Sequence, residues 1–289
     1  MDNNFAVFIL THGRPDNVKT YATLNKSGYT GEIYFIVDNE DKTIDKYIKN
    51  FGEHRVKVFD KKAMADKTDE GNNFDNRKVI IHARNACFYI AKELGIKIYS
   101  FPEYVYEHAK NKTRVVIGGS HGKTTTTAMV MHVLKTLKKD FDYLVGSQLE
   151  GFDTMVRFSD APLMVIEGDE YLTSTLDPIP KFLKYKPQIA MITGIAWDHI
   201  NVFPTWENYV EQFELFVNSI ETGGSLIYFD GDETLKKVCE KSTLKKQAYK
   251  TPNFHIRNNK VVVSKGERHT LEIFGEHNLQ NAEGACLVC

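Results

Sequence analysis

Val115-Val116-Ile117-Gly118-Gly119-Ser120-His121-Gly122-Lys123-Thr124-Thr125-Thr126-Thr127 is the stretch from which the fold can be read. Three β-branched residues in succession suit a buried strand, because their stiff side chains pack well on a pleated surface. The glycines then allow a sharp turn, and Thr124 onwards opens a helical pattern running to about Leu137. Strand, glycine turn and helix start make a phosphate-binding loop. Successive N–H groups at the helix N-terminus face an anion, Lys123 supplies a point charge for the outer phosphates, and Thr124 offers a hydroxyl to Mg²⁺. Counted from Gly118 the spacing is one residue tighter than G-x-x-x-x-G-K-[ST], so the match is to the short form Gly119-Ser120-His121-Gly122-Lys123-Thr124-Thr125. A glycine turn that merely caps a helix is the alternative, but it leaves Lys-Thr at the helix start without a purpose.

Three apolar runs follow, each ending in polar residues. Pro162 to Ile166 leads to Glu167-Gly-Asp-Glu170, Gln188 to Ile195 leads to Ala196-Trp-Asp-His199, and Ser225 to Phe229 leads to Asp230-Gly231-Asp232. Between the last two, Trp206 to Ile220 carries Tyr209, Val210, Phe213, Phe216 and Val217 at helical spacing, a core stripe rather than a cofactor box. Open α/β sheets bind ligands at the carboxyl ends of their strands, so loop, carboxylate and histidine are expected at one edge of a mostly parallel sheet. Glu167 can hold a metal shared with Thr124, and His199 a second metal or an incoming acid. Alone, Glu167 is an ordinary strand-end carboxylate and His199 with Asp198 a surface or structural pair; the loop at the same edge turns them into an Mg-ATP site. Chemistry at a γ-phosphate gathers negative charge, so positioning and neutralisation by Lys123 and Mg²⁺ would carry catalysis.

Upstream, residues 5 to 96 form a second α/β pattern. Strands are expected at Phe5 to Leu10, Gly31 to Val37 and Arg55 to Phe59, and helices at Asp16 to Ser27, Thr43 to Phe51 and Val79 to Leu94. Thr11-His-Gly-Arg-Pro15 and Asp38-Asn39-Glu40-Asp41 then lie at the carboxyl edge. Lys97 to Lys112 reads as a bridge, with Ile98 to Pro102 a strand or turn and Glu103 to Lys110 a helix whose Tyr104, Val105 and His108 face is for packing. The expected fold class is therefore α/β, with two open, mostly parallel three-layer sheets.

Composition narrows the partners. The 289 residues carry 37 basic and 38 acidic side chains, so no global field argues for nucleic acid or an anionic membrane. No apolar run reaches membrane-spanning length and Met-Asp-Asn-Asn lacks a signal-peptide pattern, from which a soluble cytoplasmic protein is expected. Cys87, Cys239, Cys286 and Cys289 read as buried free thiols in a reducing compartment.

Two resemblances sharpen this. Phe-Ile-Leu-Thr-His-Gly-Arg-Pro, Ile-Val-Asp-Asn-Glu-Asp and His82-Ala-Arg-Asn85 look like the nucleotide-binding half of a GT-A type glycosyltransferase, over residues 1–96. That family's metal-binding Asp-x-Asp has no counterpart in Ile96-Lys-Ile-Tyr-Ser-Phe-Pro-Glu103. The loop, then Glu167-Gly-Asp-Glu, Thr193-Gly-Ile-Ala-Trp-Asp-His199 and Gly275-Glu-His-Asn-Leu-Gln-Asn281-Ala resemble the central ATP-binding domain of the Mur ligases, over residues 113–289, with the bridge 97–112 as the remnant of that family's first domain. With Ser100-Phe-Pro-Glu-Tyr included, the wording is most similar to the ligases that add L-alanine to UDP-N-acetylmuramate or recycle a murein tripeptide.

The Mur resemblance implies Lys123 on the phosphates, Thr124 and Glu167 on one Mg²⁺, His199 on a second, and Asn278 and Asn281 near the adenine; Asn278 as a cap of the last helix is the alternative. Gly194 stands where many members have Asn, and the carbamylated lysine of some branches has no counterpart in the Tyr209 to Phe216 helix. By resemblance the activity is ATP-dependent activation of a UDP-N-acetylmuramate carboxylate as an acyl phosphate, captured by an amino acid or peptide. With the family's other two domains little represented, the expectation is weak Mg-ATP binding and poor ligation. A nucleotide-sugar transferase with a regulatory ATP module, or a non-catalytic fusion, are the competing expectations.

Overall fold

The structure, a computed structural model, describes residues 5–67, 80–173, 177–258, 260–265, 267–273 and 275–289. Met1 to Asn4, read for a signal peptide, and Val79, expected to open a helix, lie outside them. The chain divides into two units between Ile98 and Tyr99.

In the first unit the order is β1 (Ala6–Leu10), α1 (Lys19–Lys26), β2 (Glu32–Asp38), α2 (Ile44–Phe51), β3 (Val56–Phe59), α3 (Lys61–Lys67) and α4 (Ile80–Glu93). The strands pair in parallel in the order β1-β2-β3. Side chains alternate across a strand, and along β2 both sets are apolar. Ile33, Phe35 and Val37 join Tyr47 and Phe51 on one face, while Ile36 meets Met64, Ala86 and Ile90 on the other. Both faces must therefore be covered by helices, which gives the three layers expected. Helix α1 begins three residues later than Asp16, because Arg14 to Asn17 form a turn and Asp16 is held outside by Lys46 and Asn50. Helix α3, not foreseen, starts where the Asp60 carboxylate accepts the Ala63 N–H at 2.8 Å.

The second unit opens with α5 (Phe101–Ala109). Ser100 and Glu103 form a reciprocal capping box and Pro102 sits in the first turn, so Ile98 to Pro102 is the lead-in to a helix and not a strand. Then follow β4 (Thr113–Gly118), α6 (Lys123–Thr136), β5 (Asp142–Leu144), β6 (Val156–Arg157), β7 (Leu163–Glu167), a 3₁₀ turn (Lys181–Tyr185), β8 (Ile189–Ile192), α7 (Trp206–Asn218), β9 (Ser225–Phe229), α8 (Glu233–Glu240) and β10 (Lys245–Tyr249). The sheet order is β10-β9-β8-β4-β7-β5-β6, parallel throughout except for β5 with β6. Loop-bearing β4 is thus the central strand. Val116 packs with Phe182, Phe213 and Phe216 on one face, while Val115 and Ile117 pack with Val130, Met131 and Leu134 of α6 on the other. Tyr209, Phe213, Phe216 and Val217 are the buried stripe of α7, as the spacing predicts. A small antiparallel sheet, β11 (Phe254–Arg257), β12 (Lys260–Lys265) and β13 (Glu267–Leu271), precedes α9 (Glu276–Val288).

The cysteine reading needs correction. Cys239 is buried and Cys87 half-buried, their thiols pushed up by burial to about 12 and about 11, but Cys286 and Cys289 are exposed. Leu279, Asn281, Gly284 and Ala285 form the packed side of α9, which turns Cys286 outward. Among the described residues no helix is long and apolar enough to cross a membrane.

Among the described residues Arg114 of β4 is the largest fully buried side chain, and it serves main-chain carbonyls and, at 3.5 Å, the Glu221 carboxylate. Its guanidinium donates to the carbonyls of Ala109, Lys110 and Lys112 and of Tyr185 and Lys186, tying the end of α5 to the 3₁₀ turn. Arg114→Ala would strand these carbonyls, and stability should fall by about 3 kcal/mol or more. Urea unfolding followed by circular dichroism checks this; a midpoint equal to that of wild type would refute the role.

Candidate active site

The loop between β4 and α6 is squeezed on two sides. A Cβ on Gly119 (φ 131°) would lie 2.1 Å from Thr193 Oγ1, and one on Gly122 (φ 79°) would lie 2.6 Å from Asn281 Oδ1, so only glycine fits either place. The segment after β8 forms one wall: Ser120 N–H donates to Gly194 O at 3.0 Å, Ala196 N–H to Ser120 Oγ at 2.8 Å, and Thr193 Oγ1 to His121 O. Helix α9 forms the other through buried Asn281. Asn278, at the third position of α9, is half-buried; its N–H donates to Gly275 O, and Gly275 is the N-cap residue. His121 and Thr125 are exposed.

Charge is laid out on the floor of this loop in two groups. Thr124 Oγ1 donates to Glu167 Oε1 at 2.7 Å, and Gly146 N–H fixes the other oxygen at 2.7 Å. Lys123 bends back, its ammonium donating to Gly119 O at 2.7 Å and lying 2.7 Å from Glu170 Oε2. Glu170 Oε1 is 3.5 Å from His199 Nε2, and Glu170, Asp198 and His199 present ligand atoms within 4.8 Å of one another. Lys123, Thr124, Glu167 and His199 therefore meet at one sheet edge. Within that edge His199 pairs with Glu170 and Asp198, while Glu167 pairs with Thr124. The oxygen donors of Thr124 and Glu167 suit a hard divalent ion such as Mg²⁺, and the imidazole of His199 beside two carboxylates widens the second set to softer divalent ions.

Several contributors escaped the sequence reading. Glu170 stood in the quoted Glu167-Gly-Asp-Glu170 but was given no role; only its complete burial separates it from its neighbours. Tyr209, read as core, turns its hydroxyl to Ser120 Oγ (2.8 Å) and Glu170 Oε1 (3.3 Å). Asp232 caps α8 with one oxygen and with the other accepts the Ile195 N–H at 2.6 Å, anchoring the segment that carries His199. His199 itself holds φ 54°, a strained value for a non-glycine residue and one that recurs at functional sites.

In the first unit the carboxyl edge of β1 and β2 gathers a separate cluster. Buried Asp38 accepts from His12 Nδ1 at 2.7 Å and pairs with Lys61, and buried Asp41 accepts the Gly13 N–H at 2.7 Å.

Comparison with known proteins places these motifs. The family model described as Mur ligase middle domain matches residues 117–289. The chain belongs to the Mur ligase family. A second model, described as TET-Associated Glycosyltransferase, matches residues 5–117. A UDP-N-acetylmuramate–L-alanine ligase of Aquifex aeolicus is 30% identical over 209 residues, covering 68% of this chain and 44% of its own length. One from Borrelia garinii is 25% identical over 271 residues, 89% of this chain and 54% of its own, so likeness to a Mur ligase extends into the N-terminal unit. The chain spans about half the length of these curated relatives. Among solved structures, the UDP-N-acetylmuramate:L-alanyl-gamma-D-glutamyl-meso-diaminopimelate ligase of Neisseria meningitides superposes with a TM-score of 0.65 at 20% identity, covering 98% of this chain and 92% of that one, which shows a shared fold.

Asp169, next to Glu170, yields a pH test within this Mur ligase unit. Burial pushes its carboxyl up, but hydrogen bonds from Lys181 and the Tyr171 N–H, with the charges of Lys181 and Lys123, outweigh that and hold it below the usual carboxylate range. A depressed folded value contributes stability that is present above the unfolded value of about 3.9 and lost as pH falls through the folded one. Lys181→Met removes the main compensation, so the midpoint of acid unfolding should move to higher pH, as read by tryptophan fluorescence during acid titration.

Proposed function

We propose that the second unit is the nucleotide site of an ATP-dependent ligase that joins a UDP-N-acetylmuramate carboxylate to an amino acid or peptide. The observation that carries this reading is the paired arrangement around the loop: Thr124 with Glu167 at 2.7 Å, and Lys123 with Glu170 at 2.7 Å beside His199. The backbone N–H groups from Gly119 to Thr124 would receive the ATP phosphates, with Ser120, His121 and Thr125 completing the loop. Lys123 would exchange Gly119 O and Glu170 for phosphate oxygens. Thr124 and Glu167 would hold one Mg²⁺, and Glu170, Asp198 and His199 a second divalent ion; when bound, these neutralise charge on the phosphates. Asn281, against Gly122, and Asn278 are the residues assigned to the adenine side.

The reaction balances simply. A muramyl carboxylate oxygen bonds to the γ-phosphorus as the bond to ADP breaks; the amine nitrogen then attacks the acyl carbon, inorganic phosphate departs and the amine loses a proton. Since this chain's residues mainly position and neutralise, Lys123 carries the largest single share. The names of the Aquifex and Borrelia relatives support the substrate class, and a Thermotoga maritima MurF ligase solved with ADP, at a TM-score of 0.54 and 13% identity, supports a nucleotide in this fold. A cytoplasmic setting goes with such substrates.

A second reading concerns the N-terminal unit alone. The glycosyltransferase match over residues 5–117 and the acidic edge of Asp38 and Asp41 favour a nucleotide-sugar site there.

Calorimetric titration of Mg-ATP into the wild-type chain should give saturable binding, weakened about tenfold or more in Lys123→Ala, which loses hydrogen bonds to a charged partner of about 1.5–3 kcal/mol. Equal binding by both proteins would refute the assignment of the loop.

A further inference from the structure

We infer that Tyr209 is a positioning residue that aims the Glu170 carboxylate at the divalent-ion position it forms with Asp198 and His199. The inference rests on the nucleotide-site reading above and adds to it a residue outside every motif of the loop edge.

The argument begins with the direction of a hydrogen-bond chain. The Ala196 N–H can only donate, and it donates to Ser120 Oγ at 2.8 Å. The Glu170 carboxylate, paired with the Lys123 ammonium at 2.7 Å, is the acceptor at the other end, with Tyr209 Oη donating to its Oε1 at 3.3 Å. Ser120 Oγ and Tyr209 Oη are 2.8 Å apart between these ends. Each hydroxyl has one proton, so the order is fixed: Ala196 N–H to Ser120, Ser120 O–H to Tyr209, Tyr209 O–H to Glu170. All three side chains are buried, and the Tyr209 ring is wedged between Phe203 and Phe213, with centroids 5.5 and 5.3 Å away. The phenolic oxygen therefore has a fixed address.

Glu170 needs such a partner for a specific reason. Its Oε2 faces Lys123, the side chain that phosphates would draw away, while its Oε1 faces His199 at 3.5 Å. The terminal torsion of a glutamate is broad and offers little resistance to rotation. Once Lys123 leaves, the Tyr209 hydroxyl is the neutral, immobile group still holding the carboxylate plane toward His199 and Asp198. Because Ser120 also donates to Tyr209, the loop conformation and the carboxylate orientation are joined through one phenol. Partners of this kind, behind a ligand, change metal affinity about 10–100-fold when removed.

The test compares the wild-type chain with Tyr209→Phe and with Val217→Ala, which loosens the same helix two turns away from the Tyr209 ring. Mn²⁺ binding is measured by electron paramagnetic resonance in the presence of saturating ADP, and ADP binding separately in metal-free buffer. In Tyr209→Phe, Mn²⁺ affinity should fall about tenfold or more while metal-free ADP affinity stays within twofold of wild type. Val217→Ala should lower the melting temperature and leave Mn²⁺ affinity unchanged. Unchanged Mn²⁺ affinity in Tyr209→Phe, or equal weakening in both variants, would overturn the inference and leave the nucleotide site standing. Failure of the wild-type chain to bind Mn²⁺ with ADP would overturn the nucleotide-site reading and this inference with it.

Discussion

The parallel pairing of β4 with β7 on one side and β8 on the other is the constraint from which the candidate site follows. Parallel neighbours end at the same edge, so Gly118, Glu167 and Ile192 deliver three chain segments to one place. None of these segments could hold the arrangement alone. The loop after β4 closes only because the segment after β8 takes up its Ser120 and His121 groups, and Glu167 is held only because Thr124 and Gly146 reach it. The buried apolar residues on both faces of β4 make this pairing hard to slip, since a shift of one residue would exchange the α6 face for the α7 face.

How much of this could be read in advance depends on the kind of force involved. Val115-Val116-Ile117 and the stripe of α7 were legible because burial imposes a period, and Gly119 and Gly122 because a tight strand-to-helix turn leaves no room for a Cβ. The antiparallel sheet β11–β13 was not, for β11 exposes Phe254 and Ile256 and only Val262 and Val263 of β12 are buried, so little apolar alternation exists to be seen. Helix α3 hid for a related reason: Met64 is its one buried residue. Cys286 was read as buried by residue type alone, whereas only the Leu279, Asn281, Gly284 and Ala285 side of α9 packs.

Site residues divide the same way. Lys123, Thr124, Glu167 and His199 announce themselves by motif, and the structure gathers all four at one edge. Glu170 carries no such mark: in Glu167-Gly168-Asp169-Glu170 the three carboxylates look alike, and their environments alone separate them. Glu167 takes a hydroxyl and an amide, Asp169 takes Lys181, and Glu170 is sealed beneath Lys123 and His199. Tyr209 and Asp232 were concealed by doing two things at once, as a core ring with a polar tip and as a helix cap with a spare oxygen.

Lys123 is the link between the buried Glu170 carboxylate and any charged ligand at the loop. A buried carboxylate such as Glu170 is tolerable only while a cation or several donors accompany it. In the present arrangement Lys123 is that cation, and drawing it away toward phosphates transfers the deficit to whatever sits between Glu170, Asp198 and His199. Nucleotide and divalent ion would thus favour each other through a single carboxylate, because each relieves the cost that the other's absence imposes. That coupling needs no moving domain. It needs only that Glu170 be fully buried, that its orientation be fixed, and that the lysine over it be free to leave; the burial of Glu170 and the hydroxyl of Tyr209 are already built into the fold.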